Sequence, residues 1–336
     1  MSSRSGHQAV VERAVAEYRE RHPQLVEATR LFVEMVQDLL DDAGINYLSV
    51  SGRTKSVDSF RGKAERMADG VPLHPRPSED ITDVMGVRVI TYVQADVTAV
   101  ADLLAQELAV LDDRDLGLET ARAGRWGYAS RHLLVAVDAS RTVPAAYEPL
   151  RRLSASVQIR TVLQHAWAEF EHDIRYKGTV PEEHASDLDR RFTLAAGLLE
   201  LADREFAAIR DRLQVAIPAE PQEDQPPAEP QIGSQDLARF LASRYADAGW
   251  SRTDHYAWIS GLLRDLDITD VETLEKVLAP VDTALITARM GYKYPPGAVR
   301  HLDDALLEAF GSRYVELPGN AHRRTALAAR LAKLRA

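Results

Sequence analysis

Apolar residues return at helical spacing twice before residue 43, as Val10, Ala14 and Tyr18 and then as Leu31, Met35 and Leu39. The pattern predicts helix over residues 8–42, with Pro23 interrupting it and Gly44 suited to a C-terminal cap. Four short apolar runs follow at 45–50, 86–93, 132–137 and 155–160, with helical spacing near 95–109. The last run leads into helices predicted at 161–177 and about 183–215. Strands mixed with helices, and framed by helices at both ends, predict an α+β domain on a mixed sheet.

Residues 217–231 break this pattern. Five prolines and four acids stand there with almost nothing apolar, the composition of a solvated, semi-extended spacer. Beyond it three helical stripes appear: Leu237, Phe240, Leu241 and Tyr245; Trp258, Ile259, Leu262 and Leu263; Leu302, Leu306 and Phe310. The expected organisation is therefore a first domain at 1–216, the spacer, and a separate all-helical domain at 232–336. Apolar stripes must bury against something, so the helical domain is expected to serve assembly, with a second copy or with a protein partner, or regulation. The loop Gly291–Gly297 reads as a structural turn, although its tyrosines and Lys293 would suit stacking on a base. His322–Ala336 reads as a basic amphipathic terminal helix.

Composition narrows the class. The chain has 336 residues, 45% hydrophobic and 27% charged, which excludes wholesale disorder and allows two ordinary domains. No run approaches the roughly 18 apolar residues of a spanning helix. Met1–His7 holds no apolar signal stretch, and Cys is absent, so a cytoplasmic protein without membrane contact or thiolate chemistry is expected. The formal charge of −10, from 41 basic and 51 acidic residues, argues against a general nucleic-acid coat. It leaves room for a local basic pocket.

Four segments supply candidate chemistry. In Gly52-Arg53-Thr54-Lys55-Ser56, with Ser59 and Lys63 following, a helix starting near Val57 would place Ser59 and Lys63 on one face. A helix N-terminus with a hydroxyl and two ammonium groups is a phosphate cradle. Asp83-Val84-Met85-Gly86-Val87-Arg88 takes a carboxylate into a buried strand, which is costly unless it is paired or bound to metal. Tyr128 follows Gly127 and opens the strand at His132, leaving its ring free to lie on a purine face. In Ser156-Val157-Gln158-Ile159-Arg160-Thr161, strand alternation points Ser156, Gln158 and Arg160 the same way. The adjacent His172 and Asp173 alone are a weak signal for a metal-dependent hydrolase.

In this order and spacing, the four segments resemble the synthetase domain of RelA/SpoT-type alarmone synthetases, over roughly residues 40–180. Trp167-Ala168, Glu171-His172 and Tyr176-Lys177 extend the likeness to the short, single-synthetase-domain members. The resemblance implies a nucleotidyltransferase-like fold and pyrophosphate transfer from ATP to the 3′-hydroxyl of GDP or GTP, with Mg2+ as cofactor. By the same resemblance Arg53 would stack on adenine, while Lys55, Ser59, Lys63 and Arg88 would hold the ATP phosphates. Asp83 would be catalytic and the metal ligand. Tyr128 would stack on guanine, with His132, Gln158 and His165 beside the acceptor nucleotide. Relatives often place a lysine four residues before the tyrosine; here Gly124 stands there, with Arg122 and Arg125 nearby.

Ser156 departs from the pattern. The family motif carries a glutamate at this position, credited with helping hold the metal and activating the 3′-hydroxyl. A serine hydroxyl has no charge to offer a cation and is no base near neutral pH. Losing a positioned general base costs about 10²–10⁴-fold in rate, so turnover is expected to be absent or very low unless Glu169 or Glu171 substitutes. The alternatives are a catalytically degenerate regulator that binds guanine or alarmone nucleotide, and a toxin-type synthetase acting on tRNA 3′ ends. The last would need a basic face, such as one from Arg61, Arg66 and Arg76.

Overall fold

The structure, a computed structural model, describes residues 2–122, 130–140, 143–177, 182–215, 231–246, 248–249 and 251–336. Two compact units result. The first comprises Met1–Leu39, Tyr47–Val97 and Leu104–Asp203, and the second Leu40–Asn46, Thr98–Leu103 and Arg204–Ala336. Most of the predicted spacer, like Tyr128, lies outside the described residues.

The element order is α1 (Ser2–Asp42), β1 (Ser49–Thr54), α2 (Val57–Ala64), β2 (Met67–Ala68), β3 (Val71–Pro72), α3 (Pro77–Asp80), β4 (Met85–Thr91) and α4 (Gln94–Glu107). There follow β5 (Ala109–Asp115), α5 (Leu116–Arg122), β6 (Arg131–Ala136), β7 (Ser154–Thr161), α6 (Val162–Lys177) and α7 (Glu182–Val215). Among the described residues five strands form one sheet in the order β1-β4-β7-β6-β5, and β2 pairs with β3 apart from it. β4 and β7 are parallel and the other neighbours antiparallel, so the sheet is mixed, as expected for an α+β domain.

Alternation divides the sheet into a core face and a half-open face. Met85, Val87 and Val89 on β4, Ala155, Val157 and Ile159 on β7, and Leu133 and Val135 on β6 are all buried. α1 covers this core face. A Cβ on Gly52 would come within 2.6 Å of Val33 and 2.9 Å of Thr29, so glycine is what lets β1 approach the helix so closely. Thr29 and Thr54 join their hydroxyls across the same contact at 2.8 Å.

Pro23 does not interrupt α1, which runs through it unbroken. An internal proline costs about 3 kcal/mol; burial of Val15 and Tyr18 before it and of Leu25, Ala28 and Phe32 after it offsets that cost. Gly44 does follow the helix in the left-handed region, at φ 66°. β1 lies later than the 45–50 run: Ile45 and Tyr47 are buried ahead of the strand, which continues through Arg53 to Thr54. The apolar pattern marks neither β5 nor α5. β5 is a sheet edge whose Leu111–Arg114 stretch is exposed, so it carries no apolar alternation to read.

The second unit contains α8 (Ser234–Arg244), α9 (Thr253–Asp265), α10 (Val271–Leu278), α11 (Thr283–Met290), α12 (Ala298–Phe310), α13 (Ser312–Val315) and α14 (Arg324–Arg335). The three predicted stripes meet in its core through Leu237, Leu241, Ile259, Leu262, Leu263, Leu302 and Leu306. Gly291 ends α11 at φ 65°, and Tyr292 bonds the Asp304 carboxylate, so that loop is structural. α14 packs through Leu327, Leu331 and Leu334.

Charge is also buried in this unit. Asp303 accepts from Tyr314 Oη at 2.5 Å, from Arg330 at 2.7 Å and from Arg323 at 2.8 Å. Asp304 meets Arg300 and Arg330. Asp42, in the Leu40–Asn46 segment, receives Arg300 at 2.6 Å. Burial pushes the Asp42 carboxyl up, but Arg300, Arg330 and Arg323 outweigh it and hold it at about 2.

Candidate functional site

The half-open face of the first unit carries the predicted chemistry in two cross-sheet rows. In one, Arg53 pairs with Gly86, Gly86 with Ser156, and Ser156 with Leu134. In the next, Ser51, Arg88, Gln158, His132 and Arg114 lie in register from β1 to β5. Gly86 has no side chain, so Arg53 and Ser156 flank an open position.

One side of the site is built by β1, α2 and the approach to β4. Ser56 caps α2, accepting from the Ser59 amide at 3.2 Å, and its hydroxyl donates to Ser59 Oγ at 2.8 Å. The Ser59 hydroxyl hydrogen is thereby left to point at another acceptor. Lys55 Nζ stands 3.1 Å and Lys63 Nζ 3.0 Å from the two oxygens of Asp83. Burial raises the Asp83 carboxyl, but these two ammonium groups dominate and hold it below the ordinary carboxylate range. Asp80 stays outside this cluster, its carboxylate accepting from the Arg76 amide at the start of α3, the capping role its position suggests.

Two residues on α1 fix this corner, and the sequence pattern marks one of them only as part of a helical stripe and the other not at all. Tyr18 Oη donates to the Lys55 carbonyl at 2.6 Å, and His22 Nε2 stands 3.2 Å from the same oxygen. Tyr18 also stacks on Phe60 of α2, with centroids 4.2 Å apart and planes 6° apart. Burial and the Asp83 charge push its phenol up to about 12. The available sequence signal was polar His22 four residues after Tyr18 on a face that otherwise packs.

The other side is built by β7 and α6. Thr161 ends the strand and opens the helix: its hydroxyl accepts from the Gln164 amide at 3.2 Å, and Gln164 Oε1 accepts from the Thr161 amide at 3.0 Å. This reciprocal box aims the first turns of α6 back over the half-open face. There Glu169 Oε1 meets Arg88 at 2.9 Å and stands 3.7 Å from His165 Nδ1. Arg160 donates to Gln158 Oε1 at 3.2 Å. Burial, then the Arg88 charge, lower the Arg160 guanidinium to about 10, and the same two causes lower His165. His132 is lowered by burial and by Arg114, its neighbour in register.

The structure thus brings Lys55, Lys63 and Asp83 together at one corner, and Arg88, Gln158, Arg160, His165 and Glu169 together beside it. Trp167, Phe170 and Ile174 do not pack equally. Trp167 is buried, whereas Phe170 and Ile174 are 54% and 42% exposed, because Phe192 of α7 meets Trp167 edge-on and leaves Phe170 at the rim. Arg61 is held by Glu12 at 2.5 Å and Arg76 by Glu79 at 2.5 Å. Among the described residues no three His, Asp or Glu side chains gather as a metal cage, and no helix is long and apolar enough to cross a membrane.

A family model described as "Region found in RelA / SpoT proteins" matches residues 52–180, the stretch that holds this face. GTP pyrophosphokinase YjbM of Bacillus subtilis (strain 168) is 32% identical over 171 residues, which cover 50% of this chain and 74% of that protein. GTP pyrophosphokinase YwaC of the same organism is 29% identical over 162 residues, covering 47% and 71%. Among solved structures, small alarmone synthetase 1 from Bacillus subtilis bound to its product pppGpp is 27% identical, with a TM-score of 0.43, over 58% of this chain and 99% of that one. Matching motifs, register and relatives agree, and the chain belongs to the RelA/SpoT family.

Proposed function

We propose that the first unit binds ATP against Arg53, Lys55, Ser59, Lys63 and Arg88, binds GDP or GTP beside it, and transfers pyrophosphate to the acceptor 3′-hydroxyl at low turnover. The observation that carries this is the pair of ammonium groups, Lys55 and Lys63, on the Asp83 carboxylate just ahead of β4, the strand that also carries Arg88, with Arg88 held by Glu169 and Arg160 by Gln158 beside it.

Each side chain has work in such a transfer. The amino end of α2 and the Ser59 hydroxyl present donors to phosphate oxygens. Lys55 and Lys63 supply the counter-charge, released from Asp83 in part when phosphates arrive. Arg88 and Arg160 stabilise charge that builds on the transferred group. The donor set also suits a magnesium ion held jointly by one protein carboxylate and the donor phosphates, the usual habit of that ion. Asp83 would hold it, and when bound it would neutralise charge between donor phosphates. Ser156 adds no charge, so the site is short of one acidic group for holding the ion, which is the reason for low turnover.

A binding-only regulator is the second reading, favoured by the same Ser156. The tRNA reading has less support, since Arg61 and Arg76 are already paired with acids. Titration calorimetry tests the shared premise. ATP and GTP should each bind the wild type, Lys63→Ala should weaken ATP selectively, and Tyr128→Ala should cost guanine binding about 1–3 kcal/mol of stacking. No binding of either nucleotide at millimolar concentration would end the proposal.

A further inference from the structure

We propose that His165, oriented by Glu169, accepts the proton that the acceptor hydroxyl gives up, and so does the work that Ser156 cannot. This rests on the pyrophosphate-transfer reading above. The two residues stand one turn apart on α6, with Glu169 Oε1 3.7 Å from His165 Nδ1 and 2.9 Å from Arg88. Arg88 is in register with Gln158, one row from Ser156 on the same face. His165 Nδ1 is enclosed and without a hydrogen bond, while the side chain is 30% exposed. The open part of the ring is therefore away from Nδ1, which leaves Nε2 as the nitrogen for a substrate to meet.

The other groups on this face are worse suited. Asp83 is held by two ammonium groups, Ser156 is a hydroxyl, and His132 stands in register with Arg114, whose charge bears on it. The charged groups facing His165 are Arg88 from β4, Arg160 from β7 and Glu169 from its own helix. Burial and Arg88 lower the imidazole, so it is neutral near pH 7 and its lone pair is available. Contacts of this kind are often long before substrate binds and tighten afterwards.

In the step itself, the acceptor O–H proton passes to His165 Nε2. The oxygen forms a bond to the β-phosphorus of ATP. The bond from that phosphorus to the oxygen bridging the α-phosphate breaks, and AMP leaves with the electron pair. Glu169 faces the imidazolium that results and offsets its charge; it is a positioning residue.

Steady-state rates at saturating ATP and GTP test the assignment in wild type, His165→Asn, Ser156→Glu and the double variant. His165→Asn should lower kcat about 100-fold or more, with both KM values within about 3-fold. Adding Ser156→Glu should restore most of that loss, since a second base then stands on the same face. Wild-type kcat should rise with pH through a value below the ordinary imidazole range, about 6.5. Glu169→Gln should move this limb to still lower pH, because the carboxylate raises the imidazole. A kcat for His165→Asn within about 3-fold of wild type, or a change in acceptor KM alone, would overturn the assignment. Equally, failure of Ser156→Glu to rescue His165→Asn while it speeds the wild type would make His165 a binding residue. No turnover by any variant that still binds both nucleotides would remove the transfer reading itself, and this assignment with it.

Discussion

Asp83 shows how a single residue can be read correctly in kind and still be placed by its neighbours. A carboxylate at the entry of a buried strand demands a partner, and it has Lys55 at 3.1 Å and Lys63 at 3.0 Å. Its folded value is depressed, so the pair is fully present above the ordinary carboxylate value of about 3.9 and is lost as pH falls through the lower folded value. An NMR titration of the Asp83 carboxyl should therefore give a midpoint below about 3.9, and Lys63→Ala should raise it. An unshifted midpoint would mean the two ammonium groups do not hold it in solution. The motif positions themselves were legible, because a glycine, a serine or an arginine at fixed spacing carries its chemistry with it. Tyr18 and His22 were not, since their partner, the Lys55 carbonyl, is a backbone atom more than 30 positions away, and backbone atoms leave no mark in a sequence.

At the scale of elements, what could be read was what is half-buried. β4, β6 and β7 alternate or run apolar and lie within a residue or two of their predicted places. β5 is an exposed edge rich in acids, and its pairing with β6 comes from register, with a shift between Val110 and Asp112, rather than from side-chain burial. α1 failed in the opposite sense: proline is a local signal, and the buried residues on either side of it outweigh local preference. The Thr161–Gln164 box is the element-scale feature on which the site depends most, because it sets where α6 leaves the sheet and hence that Glu169 meets Arg88. Thr161 is in turn bonded to the buried Asp203 of α7 at 2.8 Å, a contact that no local pattern would reveal.

For the whole molecule, apolar stripes gave the helical region, whereas the buried acids of α12 are invisible to a count of hydrophobic positions. Asp303 and Asp304 read in sequence as the polar face of a helix, yet they are 1% and 0% exposed because Arg300, Arg323 and Arg330 surround them. Removing one partner of such a network leaves charge buried and unmatched. Asp303→Ala should cost about 3–5 kcal/mol in urea unfolding of the full chain. Both Asp42 and Asp303 are depressed in the fold, so their contribution is complete above about pH 4 and fades below it. A cost under about 1 kcal/mol would show that Tyr314 and the arginines find other partners.

Formation of (p)ppGpp from radiolabelled ATP with GDP or GTP, followed side by side for wild type, Ser156→Glu and Asp83→Ala, addresses the central claim most directly. Slow turnover by the wild type, a gain of about 10-fold or more in Ser156→Glu, and none in Asp83→Ala is the expected result. Turnover in Asp83→Ala equal to wild type, or no product from either wild type or Ser156→Glu while both bind the nucleotides, would contradict it.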